Sequence, residues 1–267
     1  MTVAEITSII AEIAPPATAA AWDNVGLQVG DAEAVVDTIL VTLDMTAAVV
    51  DEAIEVGAQL IVSHHPLIFD PLTSVLADDI AGGMVIRLLG AGVSLYAAHT
   101  NLDAAAEVGT AAALARVLDV RDTRPLLAED GVGFGAIGEL GDGLSLERFV
   151  ALVQERLQPS RLTVVGECAG LVRKVALMPG SGGDAVRPAA AAGADVLVCG
   201  DLKHHDALDA LALGLAVVDA GHYATELPVV GDIVRLLEER CGGAANIISS
   251  RVVTDPFAVI RGHDSAG

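Results

Sequence analysis

Short apolar runs alternate along this chain with stretches in which apolar residues recur every three or four positions. Thr2-Val3-Ala4-Glu5 has the form of a capping box and precedes Ile6, Ile9, Ile10 and Ile13, which predicts a helix closed by Pro15-Pro16. Val35 to Leu43 predicts a strand ending at Asp44, Thr46 to Val56 a helix stopped by Gly57, and Leu60 to Ser63 a second strand. Asp79 to Leu89 predicts a helix closed by Gly90, Val93 to Ala98 a strand, and Val108 to Leu118 a helix. This is the βαβ rhythm of a mainly parallel sheet. Between the first helix and the first strand, Ala21 to Asp31 holds the only tryptophan, Trp22, with Gly26 and Gly30 at turn-like spacing. It predicts a shaped loop and a short strand.

A polar connection containing Pro125 runs from Arg121 to Asp130, and a similar alternation follows. Strands are predicted at Gly131 to Leu140, Leu162 to Val165, Val172 to Met178, Val196 to Cys199 and Ala216 to Asp219. Helices are predicted at Leu146 to Leu157, Asp184 to Ala192, His204 to Leu213 and Val229 to Arg240. Ile247 to Val253 is expected to close a sheet edge, and the tail from Arg261 to be disordered. The fold class is therefore α/β.

Composition narrows the function. The length of 267 residues suits one large α/β domain or two small lobes. No apolar run reaches the roughly 18 residues of a membrane span, and no signal peptide is seen at the N-terminus, so a cytoplasmic protein is expected. A formal net charge of −21 repels nucleic acid and anionic membranes, which makes both unlikely partners. With only 3% aromatic residues, base-stacking platforms are not expected. Cys168, Cys199 and Cys241 lie far apart without CxxC spacing, which predicts idle or buried thiols in a reducing compartment.

Three predicted strands end in groups that bind metals: His64-His65, His99 with Asp103, and Asp219 to Glu226, which contains His222 and Glu226. In open α/β sheets ligands collect past the carboxyl ends of strands. Successive side chains on a continuing strand point to opposite faces, so a turn after Ser63 is needed for His64 and His65 to share a site. Imidazole and carboxylate suit zinc, manganese, iron, cobalt or nickel, and too little oxygen is offered for calcium. His222 and Glu226 would share a face on a helix. The alternative makes Thr225 an N-cap with Pro228 in the first turn and leaves His222 on the preceding loop. Each cluster taken alone has a plainer explanation: a surface or core histidine pair, Asp103 as a helix cap, or an ordinary polar pair. Three clusters at strand ends in one chain favour a metal site.

His99 is a candidate to orient Asp103 or to hydrogen-bond a metal-bound water, with a structural strand-end histidine as the competing reading. His204 and His205 open a helix and are ranked as groups near substrate, with a surface pair as the alternative. His99 and His205 are the candidates for proton transfer. Lys203 is weak evidence for an anionic substrate, and His263 lies in the tail. Gly133 to Gly138 fits GxGxxG but opens no helix, so it reads as a glycine-rich strand and not a dinucleotide site. Pro179-Gly180-Ser181-Gly182-Gly183 is better placed to cradle an anion, though a tight turn is the simpler role.

Five segments then stand out together. They are Ala21-Trp22-Asp23-Asn24-Val25-Gly26-Leu27, Ser63-His64-His65-Pro66-Leu67, His99-Thr100-Asn101-Leu102-Asp103, Gly200-Asp201-Leu202-Lys203-His204-His205, and Asp219-Ala220-Gly221-His222-Tyr223-Ala224-Thr225-Glu226. In content and order they resemble the signature segments of the Nif3-like dinuclear-metal-centre hexameric family, often labelled GTP cyclohydrolase 1 type 2 homologue. The resemblance runs from near residue 20 to near residue 255. It implies two divalent metal ions held by His64, His65, Asp103, His222 and Glu226, with Asp103 and Glu226 as the bridging carboxylates. It also implies two similar α/β lobes with the metals in the cleft between them, and a toroidal homo-hexamer. Lobe one would comprise about 1–125 plus the segment from about 225, and lobe two about 126–224. Some relatives carry a large insertion between the lobes that this chain is too short to contain. The activity expected is hydrolysis of a nucleotide, phosphoester or cyclic amide. The rival expectation is a non-catalytic metal-binding or metal-delivery hexamer acting through protein partners.

Overall fold

A computed structural model describes residues 1–129, 132–168 and 170–257. The predicted tail from Arg261, with His263, lies outside them. In the first half the elements are α1 (Val3–Ile13), β1 (Gly26–Val29), β2 (Thr38–Thr42), α2 (Ala47–Glu55), β3 (Leu60–Ser63), α3 (Ile80–Ala91), β4 (Ser94–Ala97), α4 (Thr100–Asp103) and α5 (Thr110–Val117). The second half has β5 (Arg121–Arg124), β6 (Leu127–Glu129), β7 (Val132–Phe134), β8 (Ala136–Leu144), α6 (Leu146–Leu157), β9 (Thr163–Val165) and β10 (Val172–Ser181). It continues with α7 (Val186–Ala191), β11 (Val196–Gly200), α8 (His204–Leu213), β12 (Ala216–Asp219), α9 (His222–Glu226), α10 (Pro228–Cys241) and β13 (Asn246–Ser249).

The strands form two main sheets. The first has the order β1-β4-β3-β2-β13, all parallel except β1 at one edge. The second has the order β5-β8-β10-β11-β12-β9, and only β10, β11 and β12 run parallel. A β6–β7 hairpin stands apart. In both sheets the central strands are wholly buried: every residue of β3, β4, β11 and β12 is covered. That explains their continuous apolar sequences, since a parallel strand covered on both faces has no polar side to alternate with. The Thr2 capping box is present at α1, with Glu5 N–H donating to Thr2 Oγ1 and Thr2 N–H to the Glu5 carboxylate.

Several boundaries differ from the sequence reading. The polar connection at Arg121 to Asp130 supplies two strands, β5 and β6, because paired backbone makes sheet even where every side chain of β5 is exposed. The predicted Gly131–Leu140 strand is two strands, broken at Gly135 with φ +62°. Gly90 lies inside α3, and Gly92, at φ +69°, ends it.

Candidate metal centre

The carboxyl ends of the parallel strands carry the clustered residues. The β3 backbone gives way to a bend as the Ser63 hydroxyl donates to the His65 carbonyl at 2.8 Å. This turn brings both imidazoles to one side, with ring centroids 4.8 Å apart. His99 follows β4 and stands 5.2 Å from His64 and 5.3 Å from His65, ring to ring. From the other sheet, α9 begins immediately past β12 and places His222 and Glu226 one helical turn apart; Thr225 lies within α9, so the N-cap alternative does not arise. The carboxyl edges of the two sheets meet here: His222 Nε2 lies 3.4 Å from His65 Nε2.

Two groups of potential ligands result, His64–His65–His99 and His65–His222–Glu226, sharing His65. Asp103 joins from the end of α4, its Oδ1 3.8 Å from His64 Nε2 and accepting the Thr110 hydroxyl at 2.6 Å. His64, His65, Asp103, His222 and Glu226 thus converge, with His99 beside them. His205 does not: it stands exposed with His204 at the start of α8, their rings 5.4 Å apart. Among the described residues neither hydrogen-bonds to the cluster.

All four clustered imidazoles are held from behind through Nδ1. His64 meets the Ala98 carbonyl at 2.9 Å, His65 the Asp44 carboxylate at 2.7 Å, His99 that of Asp23 at 2.9 Å, and His222 that of Asp201 at 2.9 Å. An oxygen on Nδ1 fixes the tautomer that leaves Nε2 with its lone pair, the usual arrangement of a metal-ligating histidine. Two atoms inside are unpartnered although buried, His64 Nε2 and Glu226 Oε2. Glu226 Oε2 lies 3.0 Å from His222 Nε2 and 3.2 Å from His65 Nε2, yet neither contact has hydrogen-bond geometry. Buried polar atoms without partners are costly, and a cation among them would satisfy them at once. Imidazole nitrogen with carboxylate oxygen is a donor set that a divalent transition ion accepts.

The electrostatics divide the cluster. Burial pushes the His64 imidazole down to about 4, so it is neutral at pH 7. Burial also lowers His99. Burial opposes protonation of His65 as well, but contact with Asp44 and Glu226 outweighs it and holds that group at about 10. His222 is held at about 9 against burial by Glu226 and Asp201. Burial and the neighbouring Glu226 charge raise Asp103 to about 6. Burial would raise Glu226 too, yet the His222 and His65 imidazoles hold it well below the ordinary carboxylate range.

A cleft of about 550 Å³ opens over His65 and His222. Its walls include Asp44, Arg161, Asp201, Tyr223 and the segment Thr254 to Phe257. That segment is tied down upstream by the buried Glu52, whose carboxylate accepts the Ser250 hydroxyl at 2.5 Å and the Arg251 N–H at 3.0 Å. Further along, the Thr254 hydroxyl donates to Asp44, the carboxylate that holds His65. On another side of the cluster Trp22 stacks on Phe69 beside His99, their centroids 5.7 Å apart.

The Pro179-to-Gly183 stretch is the end of β10 and a tight turn, and it walls the cluster. A methyl group on Gly180, which has φ +68°, would come within 2.2 Å of Glu226 Oε1. The Gly133–Gly138 stretch lies in β7, the break at Gly135 and β8, so no helix follows it as a dinucleotide site requires. The three cysteines are free, with Cys199 and Cys241 buried. Sequence reasoning did not assign Asp23, Asp44 or Asp201 to the imidazoles they hold. Asp44 and Asp201 do sit directly past strand ends, which was the one available signal.

Comparison with known proteins gives the family and the fold. A family model described as Duf34/NIF3 (NGG1p interacting factor 3) matches residues 1–256. A Clostridium perfringens protein named GTP cyclohydrolase 1 type 2 homolog is 34% identical over 261 residues, covering 96% of this chain and 98% of that one. A Streptomyces coelicolor protein of the same name is 35% identical, covering 95% and 92%. Among solved structures, a Bacillus cereus protein described as related to NIF3 superposes with a TM-score of 0.91 at 27% identity, covering 97% of this chain and 99% of that one.

Proposed function

We propose, for a chain that belongs to the Duf34/NIF3 family, that the imidazole–carboxylate cluster holds two divalent metal ions and that the cleft above it is a hydrolytic site. The observation that carries this reading is the outward tethering of four Nδ1 atoms while His64 Nε2 lies buried and unpartnered and Glu226 Oε2 lies buried between His65 and His222. His64, His65, Asp103, His222 and Glu226 would be the protein ligands. Bound there, such ions would supply Lewis-acid polarisation and lower the pKa of a water. His99, held by Asp23 and outside the proposed ligand set, is assigned to proton transfer. The exposed His205 makes no bond to the cluster, so we give it no part. The substrate class is a nucleotide, phosphoester or cyclic amide, and the relatives' name points to the first.

No helix among the described residues is long and apolar enough to cross a membrane. A cytoplasmic homo-hexamer is the assembly we propose, to be checked by sedimentation. The reading itself is tested by elemental analysis and anomalous diffraction, followed by turnover of metal-loaded protein on GTP and a phosphoester panel. We expect bound transition metal at the cluster and turnover that Asp103→Ala abolishes. Bound metal with no turnover above that variant would favour the non-catalytic metal-binding or metal-delivery hexamer. Absence of metal from carefully purified protein would refute both.

A further inference from the structure

We infer that Arg161, seated on Phe257, is the anion-recognition subsite of the cleft, taking the phosphate or carboxylate of a small-molecule substrate whose reactive end lies over His65 and His222. The inference deepens the hydrolytic reading and rests on it.

Among the described residues that line the cleft Arg161 is the only lysine or arginine, and its acidic neighbours there are Asp44, Asp201 and Asp255. Two of those acids are already engaged, Asp44 by His65 and Asp201 by His222. The Arg161 guanidinium stands over the Phe257 ring, 4.5 Å from its centroid. A cation placed over a ring in this way spends none of its N–H groups on it, and they remain for an oxyanion. Among the described residues its one ion pair is with Asp201 Oδ1 at 3.6 Å, beyond ordinary hydrogen-bond length and half-exposed, so it is a weak competitor.

The wall is also built. Arg161 lies between α6 and β9, whereas Phe257 ends the segment that Glu52 and Asp44 hold in place. Two distant stretches are thus brought together on one side of the cleft. Asp201, which connects Arg161 to the His222 ring, has a left-handed backbone at φ +48°, a conformation that costs free energy in a residue with a side chain. An oxyanion paired with Arg161 is therefore one carboxylate away from the metal-facing histidines. The cleft volume of about 550 Å³ falls in the size range of small-molecule sites.

The test uses the full chain, metal-loaded, as wild type, Arg161→Ala and Arg161→Lys. Each is titrated calorimetrically with adenosine 5′-monophosphate, adenosine and acetate, and its metal content is measured. We expect the monophosphate to bind Arg161→Ala roughly tenfold to a hundredfold more weakly than wild type, with Arg161→Lys between them. Adenosine should bind all three alike, and metal content should be equal. Acetate following the same order would make a carboxylate sufficient; acetate insensitive to Arg161 would restrict the subsite to phosphate. Equal monophosphate affinity in wild type and Arg161→Ala would overturn the inference, as would no oxyanion binding by wild type. Wild-type protein without metal but with Arg161-dependent binding would defeat the metal reading and leave the subsite standing.

Discussion

The two sheets bring different chemistry to the same few ångströms. From the first sheet come His64, His65 and His99; His64 is fully buried, which keeps it neutral although the Ala98 carbonyl braces it. From the second come His222 and Glu226, where a half-exposed imidazole is braced by a carboxylate and leans on another. His65 belongs to both groups and, with Asp44 behind it, behaves electrostatically like the second. One part of the cluster is therefore ready to donate a lone pair, while the other is held as an ion pair until a cation displaces its protons. Asp23 braces His99, yet burial still lowers that imidazole. His65 and His222 each touch Glu226 as well as a carboxylate brace, and both are raised. Burial weighed against all carboxylate contacts therefore sets how each one titrates.

The harshest way to break this contrast is to remove what both halves share. Glu226→Ala deletes the carboxylate facing His65 and His222, and we expect complete loss of bound metal by elemental analysis, with a lower Tm in the metal-free protein. Gly180→Ala should come close to this effect without altering any ligand. Its methyl would collide with Glu226 Oε1, and its positive φ is strained for alanine, so metal affinity should fall by at least about tenfold in a competition titration.

Changing the braces sharpens the comparison at a smaller scale. Asp44→Asn and Asp201→Asn should each weaken metal binding by about 10–100-fold, the usual range for an outer partner. Asp44→Asn should be the more damaging, because Asp44 also anchors Thr254 of the cleft wall. No loss in either variant would mean that the braces do not support metal binding, and equal losses would remove the added role given to the Thr254 contact.

The mildest effect is on pH dependence. In metal-free protein His65 and His222 titrate at about 10 and about 9, above the ordinary 6.5. Their stabilising contribution is complete below pH 6.5 and is lost as pH rises through 9 to 10. Glu226, depressed below its ordinary 4.5, contributes above that pH and loses its contribution as pH falls through its lowered pKa. Metal binding needs the free imidazoles, so affinity should climb between pH 6.5 and 9 while the metal-free fold weakens. Denaturation of chelated protein checks the second statement. Calorimetry in buffers of differing ionisation enthalpy checks the first, through the protons released.

Much of this was legible along the chain. The largely apolar β3, β4, β11 and β12 announced buried parallel strands, and the histidines just after β3, β4 and β12 announced a candidate site, because strand ends are where α/β chains place reactive groups. The turn needed after Ser63 is present, as is the helix joining His222 to Glu226. Segments without a hydrophobic period were misread: Arg121 to Arg124 is strand only because β8 supplies hydrogen-bond partners that local sequence does not contain.

From its sequence alone this protein's α/β class, its family and the candidate ligands follow, since burial periodicity and residue chemistry are local properties. Tertiary structure decided what those residues do to one another. Asp44, Asp23, Asp201 and the Ala98 carbonyl each reach one imidazole across neighbouring segments of a single sheet, whereas His65 meets His222 and Glu226 only because the two sheets meet. The burial of Glu226 Oε2 against His65 and the seating of Arg161 on Phe257 also depend on that meeting. Electrostatic coupling and desolvation act over a few ångströms of space, and residues 157 positions apart become neighbours only when the chain has folded.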